Sequence, residues 1–154
     1  LDQVLDFAAR HAAWLNLEIK PNPGQDAQTG EAVARRVVRW LADQPSAPRP
    51  LLSSFSLAAL QAARASLDAL QADVPLAYLV ETYDEQALAQ AVALGAEGLH
   101  TDWQQVTPAV VAAVHTSGLK LRAYTVNDAD QARALLADGL DGLFTDRLDL
   151  PSRL

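Results

Sequence analysis

The chain has 154 residues, 50% hydrophobic and 20% charged. That is room for one domain with a real core, too little for two ordinary domains, and it excludes a disordered chain. A formal net charge of -7 excludes a broad basic surface for nucleic acid, so any phosphate site has to be local. Cysteine is absent, which excludes disulfides and thiolate metal sites. No apolar run reaches the length of a transmembrane segment, and no signal-peptide pattern opens the sequence. The chain starts at Leu1 and has no methionine, so it reads as a portion of a longer protein.

Short apolar runs alternate with stretches of helical period. Residues 1 to 12 include A-A-R-H-A-A, a helical stretch that carries His11. The run A-W-L-N-L-E-I-K, Ala13 to Lys20, alternates like a strand. Pro21 to Gly30 reads as a loop, followed by a helix from about Glu31 to Asp43 with Val33, Val37, Val38 and Leu41 on one face. Three prolines between Pro45 and Pro50 break the chain before a second strand, Leu51 to Phe55. Ser56 is the expected N-cap of the helix that runs to about Ala72. The third strand, L-A-Y-L-V, follows Pro75, and Asp84 caps the next helix, which stops at Gly95.

The fourth strand is G-L-H-T, ending near Asp102. Thr107-Pro108 has the form of a helix start, a cap residue with proline at the first helical position. That helix ends at Gly118, with His115 in its last turn. The fifth strand is Leu119 to Val126, and Asn127 or Asp128 caps a helix that ends at Gly139. Leu140 to Thr145 is the sixth strand. Trp14 and Trp40 are expected to pack in the core or against helices.

Six strands with intervening helices predict parallel pairing through helical crossovers. Leu94 to Asp102, L-G-A-E-G-L-H-T-D, and Asp138 to Asp146, D-G-L-D-G-L-F-T-D, form an internal repeat, each passing from a helix-ending glycine into a strand that closes on Thr-Asp. Such units suit an α/β fold of the TIM type, a (β/α) barrel that is incomplete here: about six βα units, the first strands missing. An open doubly wound sheet would carry a glycine-rich phosphate loop after its first strand, and none is present. Residues 1–154 are read as the C-terminal portion of a single barrel domain.

In such a barrel the chemistry sits at the C-terminal strand ends. Those ends carry Glu18 and Lys20, then Ser53, Ser54 and Phe55, then Glu81, His100 and Asp102, Tyr124 and Asn127, Thr145 and Asp146. Glu18 and Lys20 share a strand face by alternation. The residues allow two readings: an internal ion pair, or a hard-cation ligand beside a phosphate-binding lysine. Asp102 and Asp146 read as turn residues that bind backbone amides. His11 and His115 read as surface or helix-end residues. His100 and Trp103 are candidates for the pocket lining.

N-L-E-I-K-P, then L-L-S-S-F-S, A-Y-T-V-N and G-L-D-G-L-F-T-D-R, in this order and spacing, resemble the glycerophosphodiester phosphodiesterase family, and bacterial cytosolic members above all. The resemblance runs from about Asn16 to Asp146. It implies a divalent-cation ligand role, for Ca²⁺ or Mg²⁺, at Glu18. It implies a phosphate contact at Lys20, a pocket wall at Phe55 with Ser54 beside it, and a glycerol-side lining by Tyr124 and Asn127. It also implies a cytoplasmic phosphodiesterase of lipid and glycerol metabolism, which hydrolyses glycerophosphodiesters to glycerol 3-phosphate and an alcohol. The family's H-R-G motif, its E-x-D pair and its later H-D, which hold the two catalytic histidines and the other metal ligands, precede the E-I-K strand and have no counterpart here. The chain alone is therefore expected to be inactive, and its barrel edges to pair with another copy, with a complementary fragment or with each other. The alternative is a non-catalytic module that binds a phosphate ligand or a partner on the same scaffold.

Overall fold

The computed structural model describes all residues, 1–154. Its strands follow one another in chain order. The chain divides into two compact units, Leu1–Tyr78 and Leu79–Leu154.

The first unit holds α1 (Asp2–His11), β1 (Asn16–Glu18), α2 (Asp26–Asp43), β2 (Leu51–Ser54), α3 (Leu57–Ala69) and the start of β3 (Leu76–Val80). β1 pairs parallel with β2, Glu18 opposite Ser53, and β2 pairs parallel with β3. β2 is buried along its whole length, as a strand covered on both faces must be. The expected strand Ala13 to Lys20 shortens to three residues. Trp40 is buried in α2 as expected, but Trp14 is 52% exposed, because it precedes β1 instead of joining it.

α2 starts at Asp26, five residues before the point that sequence pattern suggests. Gly30 is the reason. It reads as a loop residue, yet it lies inside the helix, where a Cβ would sit 2.0 Å from the carbonyl oxygen of Ala59 in α3. Only glycine lets the two helices approach that closely. The N-termini of the same helices are tied together. Ser56 caps α3 by accepting from the Ala59 amide at 3.1 Å, and its hydroxyl donates to Asp26 Oδ1 at 2.6 Å.

The second unit holds the end of β3, α4 (Glu85–Ala93), β4 (Gly98–Asp102), α5 (Pro108–Thr116), β5 (Lys120–Tyr124), α6 (Ala129–Ala137) and β6 (Gly142–Leu143). β4 pairs parallel with β5 and β5 with β6. The expected caps form: Asp84 accepts from the Ala87 amide, Thr107 from Val110 and Asp128 from Gln131. Alternation along the strands splits the unit's sheet into two faces. Leu99, Leu121 and Ala123, fully buried, belong to one face. Gly98, His100, Asp102, Arg122, Tyr124 and Gly142 belong to the other, by the register His100 opposite Arg122 and Asp102 opposite Tyr124. The repeat glycines Gly98 and Gly142 flank Arg122. A Cβ on Gly98 would meet the Lys120 carbonyl oxygen at 2.7 Å.

Candidate active site at the strand ends

In the first unit, Glu18 closes β1 and Lys20 follows two residues later on the same side. Their charged groups meet, Lys20 Nζ lying 3.5 Å from Glu18 Oε2. Lys20 is largely exposed and Glu18 about a third exposed, so the pair is a solvent-facing one of small energetic worth. Both line an open cavity of about 530 Å³, together with Pro21, Ser54, Phe55 and Ser56. Phe55 is 45% exposed and gives this cavity an aromatic wall.

Ser54 does not offer a free hydroxyl. Its Oγ donates to the Ile19 carbonyl oxygen at 2.7 Å and accepts from the Ser56 amide at 3.0 Å, which stitches the ends of β1 and β2 together beneath the cavity. Ser53 sits opposite Glu18 in the strand register. Its hydroxyl is buried without a partner, as is the side-chain oxygen of Asn16 on the same face. Sequence reasoning gave these two no role. The alternation that placed Glu18 on this face places Asn16 there too, and the parallel register adds Ser53.

In the second unit the residues picked out from sequence separate into four environments. His100 is fully buried in β4, its ring 5.1 Å from that of Phe144. Arg122 Nη1 lies 3.3 Å from His100 Nε2, and Arg122 Nη2 donates to Glu97 Oε1 at 2.9 Å. Burial above all, and then the Arg122 charge, push the His100 pKa down to about 3. Tyr124 closes β5 and its phenol donates to the Val80 carbonyl oxygen at 2.8 Å. Asn127 uses its amide within the chain, on Thr145 and Asp146. Trp103 opens a short 3-10 turn that Asp102 caps by accepting from the Gln104 amide at 2.8 Å.

Asp102 thus binds a backbone amide, as a strand-end aspartate is expected to do. Asp146 differs: its carboxylate accepts from the Asn127 side chain at 3.2 Å. His115, in the last turn of α5, bonds Asp141 at 2.8 Å, and the same Asp141 oxygen accepts from the Leu121 amide. It is a helix-end residue hydrogen-bonded to a carboxylate. No three His, Asp or Glu side chains converge in a way that could hold a metal ion.

Residues 1–150 match the glycerophosphoryl diester phosphodiesterase family. The chain belongs to that family. A glycerophosphodiester phosphodiesterase from Bacillus altitudinis is 28% identical over 149 residues, 95% of this chain and 58% of the relative. A phosphodiesterase from Oleispira antarctica, solved in complex with the product sn-glycerol-3-phosphate, superposes with a TM-score of 0.83 at 28% identity, over 99% of this chain and 60% of that one. A glycerophosphoryl diester phosphodiesterase structure from Silicibacter pomeroyi gives 0.80 at 26% identity, over 99% and 53%. The chain therefore spans a little over half the length of these phosphodiesterases. Its fold is α/β, six strands of a TIM-type barrel with their helices, as its strand–helix alternation predicts. No helix is long and apolar enough to cross a membrane.

Proposed function

We propose that this chain supplies the phosphate-binding strand and the glycerol-side wall of a glycerophosphodiester phosphodiesterase, a cytoplasmic enzyme of lipid and glycerol metabolism. The reaction is hydrolysis of a glycerophosphodiester to glycerol 3-phosphate and an alcohol. The observation that carries this reading is Glu18 and Lys20, brought side by side on the lip of one cavity whose wall is Phe55. Lys20 places an ammonium where a diester anion can be held, and its high exposure leaves it free to turn from Glu18 to that anion. Phe55 suits the apolar side of a glycerol backbone. Tyr124, at a strand end, is assigned to the glycerol side as well.

A divalent cation, Ca²⁺ or Mg²⁺, does not fit the residues of this chain by themselves. Such an ion takes six or more oxygen ligands, or a few carboxylates and waters. Here one carboxylate, already paired with a lysine, faces the cavity. In the reading proposed, Glu18 is one ligand and further sequence provides the rest. His100, buried and held neutral, is not the general acid or base. The chain alone is accordingly inactive.

The test is glycerol 3-phosphate release from glycerophosphocholine, with Ca²⁺ or Mg²⁺, by the full-length protein that carries this chain and by residues 1–154 alone. The full-length protein turns over. Glu18→Ala and Lys20→Ala each lower its kcat/KM by roughly 10²-fold or more, the usual loss when one charge-stabilising group is removed. Residues 1–154 alone give no product. Turnover by residues 1–154 alone overturns the assignment of Glu18 as one ligand among several. Glycerol 3-phosphate binding without turnover by the full-length protein favours the non-catalytic module instead.

A further inference from the structure

Asn127 was expected at the glycerol side of the pocket, and its bonding points elsewhere. Its Oδ1 accepts from the Thr145 hydroxyl at 3.0 Å and from the Asp146 amide at 2.9 Å. A carboxamide oxygen has two lone pairs, so this one is used up. Its Nδ2 donates to Asp146 Oδ2 at 3.2 Å, which leaves a single N–H. Thr145 Oγ1 accepts in turn from the Arg147 amide at 3.0 Å. Backbone bonds continue the ladder, from the Phe144 amide to the Ala123 carbonyl and from the Val126 amide to the Phe144 carbonyl. The end of β5, where Tyr124 sits, and the end of β6 are thus held together by backbone bonds, and one side chain ties the turn beyond them to the same place.

We propose that Asn127 is a positioning residue: its amide clamps the Thr145–Arg147 turn to the end of β5 and so holds Tyr124 in place, without contacting substrate. This rests on the reading of Tyr124 as the glycerol-side wall of a diesterase pocket. A clamp makes Asn127 and Thr145 one unit. Removing either side chain then has nearly the whole effect, and removing both adds little.

The experiment uses the full-length protein. Asn127→Ala and Thr145→Val each raise KM for glycerophosphocholine roughly tenfold with kcat changed little, since it is a binding wall that moves. The double variant matches either single one. Asn127→Asp keeps an accepting oxygen but sets a second carboxylate against Asp146, so it too raises KM. Additive effects, or a normal KM in Thr145→Val, overturn the proposal in favour of direct contact. Amide hydrogen exchange tests the clamp without any activity. The Asp146 and Arg147 amides exchange at least about tenfold faster in Asn127→Ala, as lost hydrogen bonds require. Unchanged exchange sinks the clamp. A wild-type protein inactive on glycerophosphocholine sinks the diesterase reading and leaves the exchange result standing.

Discussion

Arg122 Nη1 lies 3.3 Å from Nε2 of His100, while the other arm of the same guanidinium is held by Glu97 at 2.9 Å. A guanidinium can only donate, so Nε2 has to accept, and the imidazole carries its proton on Nδ1. That Nδ1 is buried with no partner in the chain. The histidine is fixed as a neutral donor. Its imidazole ¹⁵N shifts should show the Nδ1–H tautomer and stay constant between pH 5 and 8. A titration near the ordinary histidine value would refute this.

The same shift makes the fold sensitive to acid. The folded pKa of His100 is about 3, below the ordinary histidine value of 6.5. The unfolded chain therefore binds more protons between those values. Stability from this group is complete above about pH 6.5, declines as pH falls, and is gone once pH passes below about 3. The slope for one group is roughly 1.4 kcal/mol per pH unit. Urea midpoints measured from pH 8 to pH 4 should fall less steeply in His100→Gln than in the parent. Equal slopes would mean that His100 is not buried in this form.

Gly30→Ala should destabilise the first unit by about 2–3 kcal/mol. The new methyl group meets the Ala59 backbone, which cannot turn aside as a side chain would. Thermal unfolding of the variant reads this directly. A midpoint within a degree or two of the parent would show that α2 and α3 do not approach as described.

Two N-caps should differ in cost. Asp84 bonds the Ala87 amide alone, and Asp84→Ala should cost about 1 kcal/mol. Ser56 caps α3 and also satisfies Asp26, so Ser56→Ala should cost about 2 kcal/mol. Denaturant unfolding of the two variants side by side checks the order. Equal losses would mean that the Ser56–Asp26 bond contributes nothing.

α1 turns Leu5 and Ala8 inward, yet Leu1, Val4 and Phe7 are each about half exposed, as is Trp14. Exposed apolar side chains on α1, and Trp14 just before a strand with an unpaired edge, favour association. Residues 1–154 should show concentration-dependent mass in light scattering and bind a hydrophobic dye, and Phe7→Ser with Trp14→Ser should reduce both. A monodisperse monomer that binds no dye would count against this surface as a contact face.

The parts of this structure that sequence reveals are those set by near neighbours. Asp84, Thr107 and Asp128 are legible as caps because each bonds an amide three residues on. The strand ends that carry Glu18, Phe55 and Tyr124 are legible because alternation and motif order reinforce each other. The start of α2 was hidden because Gly30 answers to Ala59, 29 positions away. The engagement of Asn127 was hidden in the same way, its partners lying 18 and 19 residues on. The state of His100 depends on Arg122, a neighbour only across the β4–β5 register. Trp14 reads as core by its chemistry alone, and nothing local says that β1 begins two residues after it.

The two copies of the glycine-bearing repeat are not equally constrained. Gly98 has the Lys120 carbonyl oxygen 2.7 Å from where its Cβ would be, whereas the nearest atom at Gly142 is Arg122 Cδ at 3.6 Å, an ordinary packing distance. Alanine fits the second copy and collides in the first. Anyone assembling a symmetric barrel from one βα building block of this chain should therefore copy residues 138–146, the segment with room to vary, and leave 94–102 as the fixed part that takes its shape from a particular neighbour.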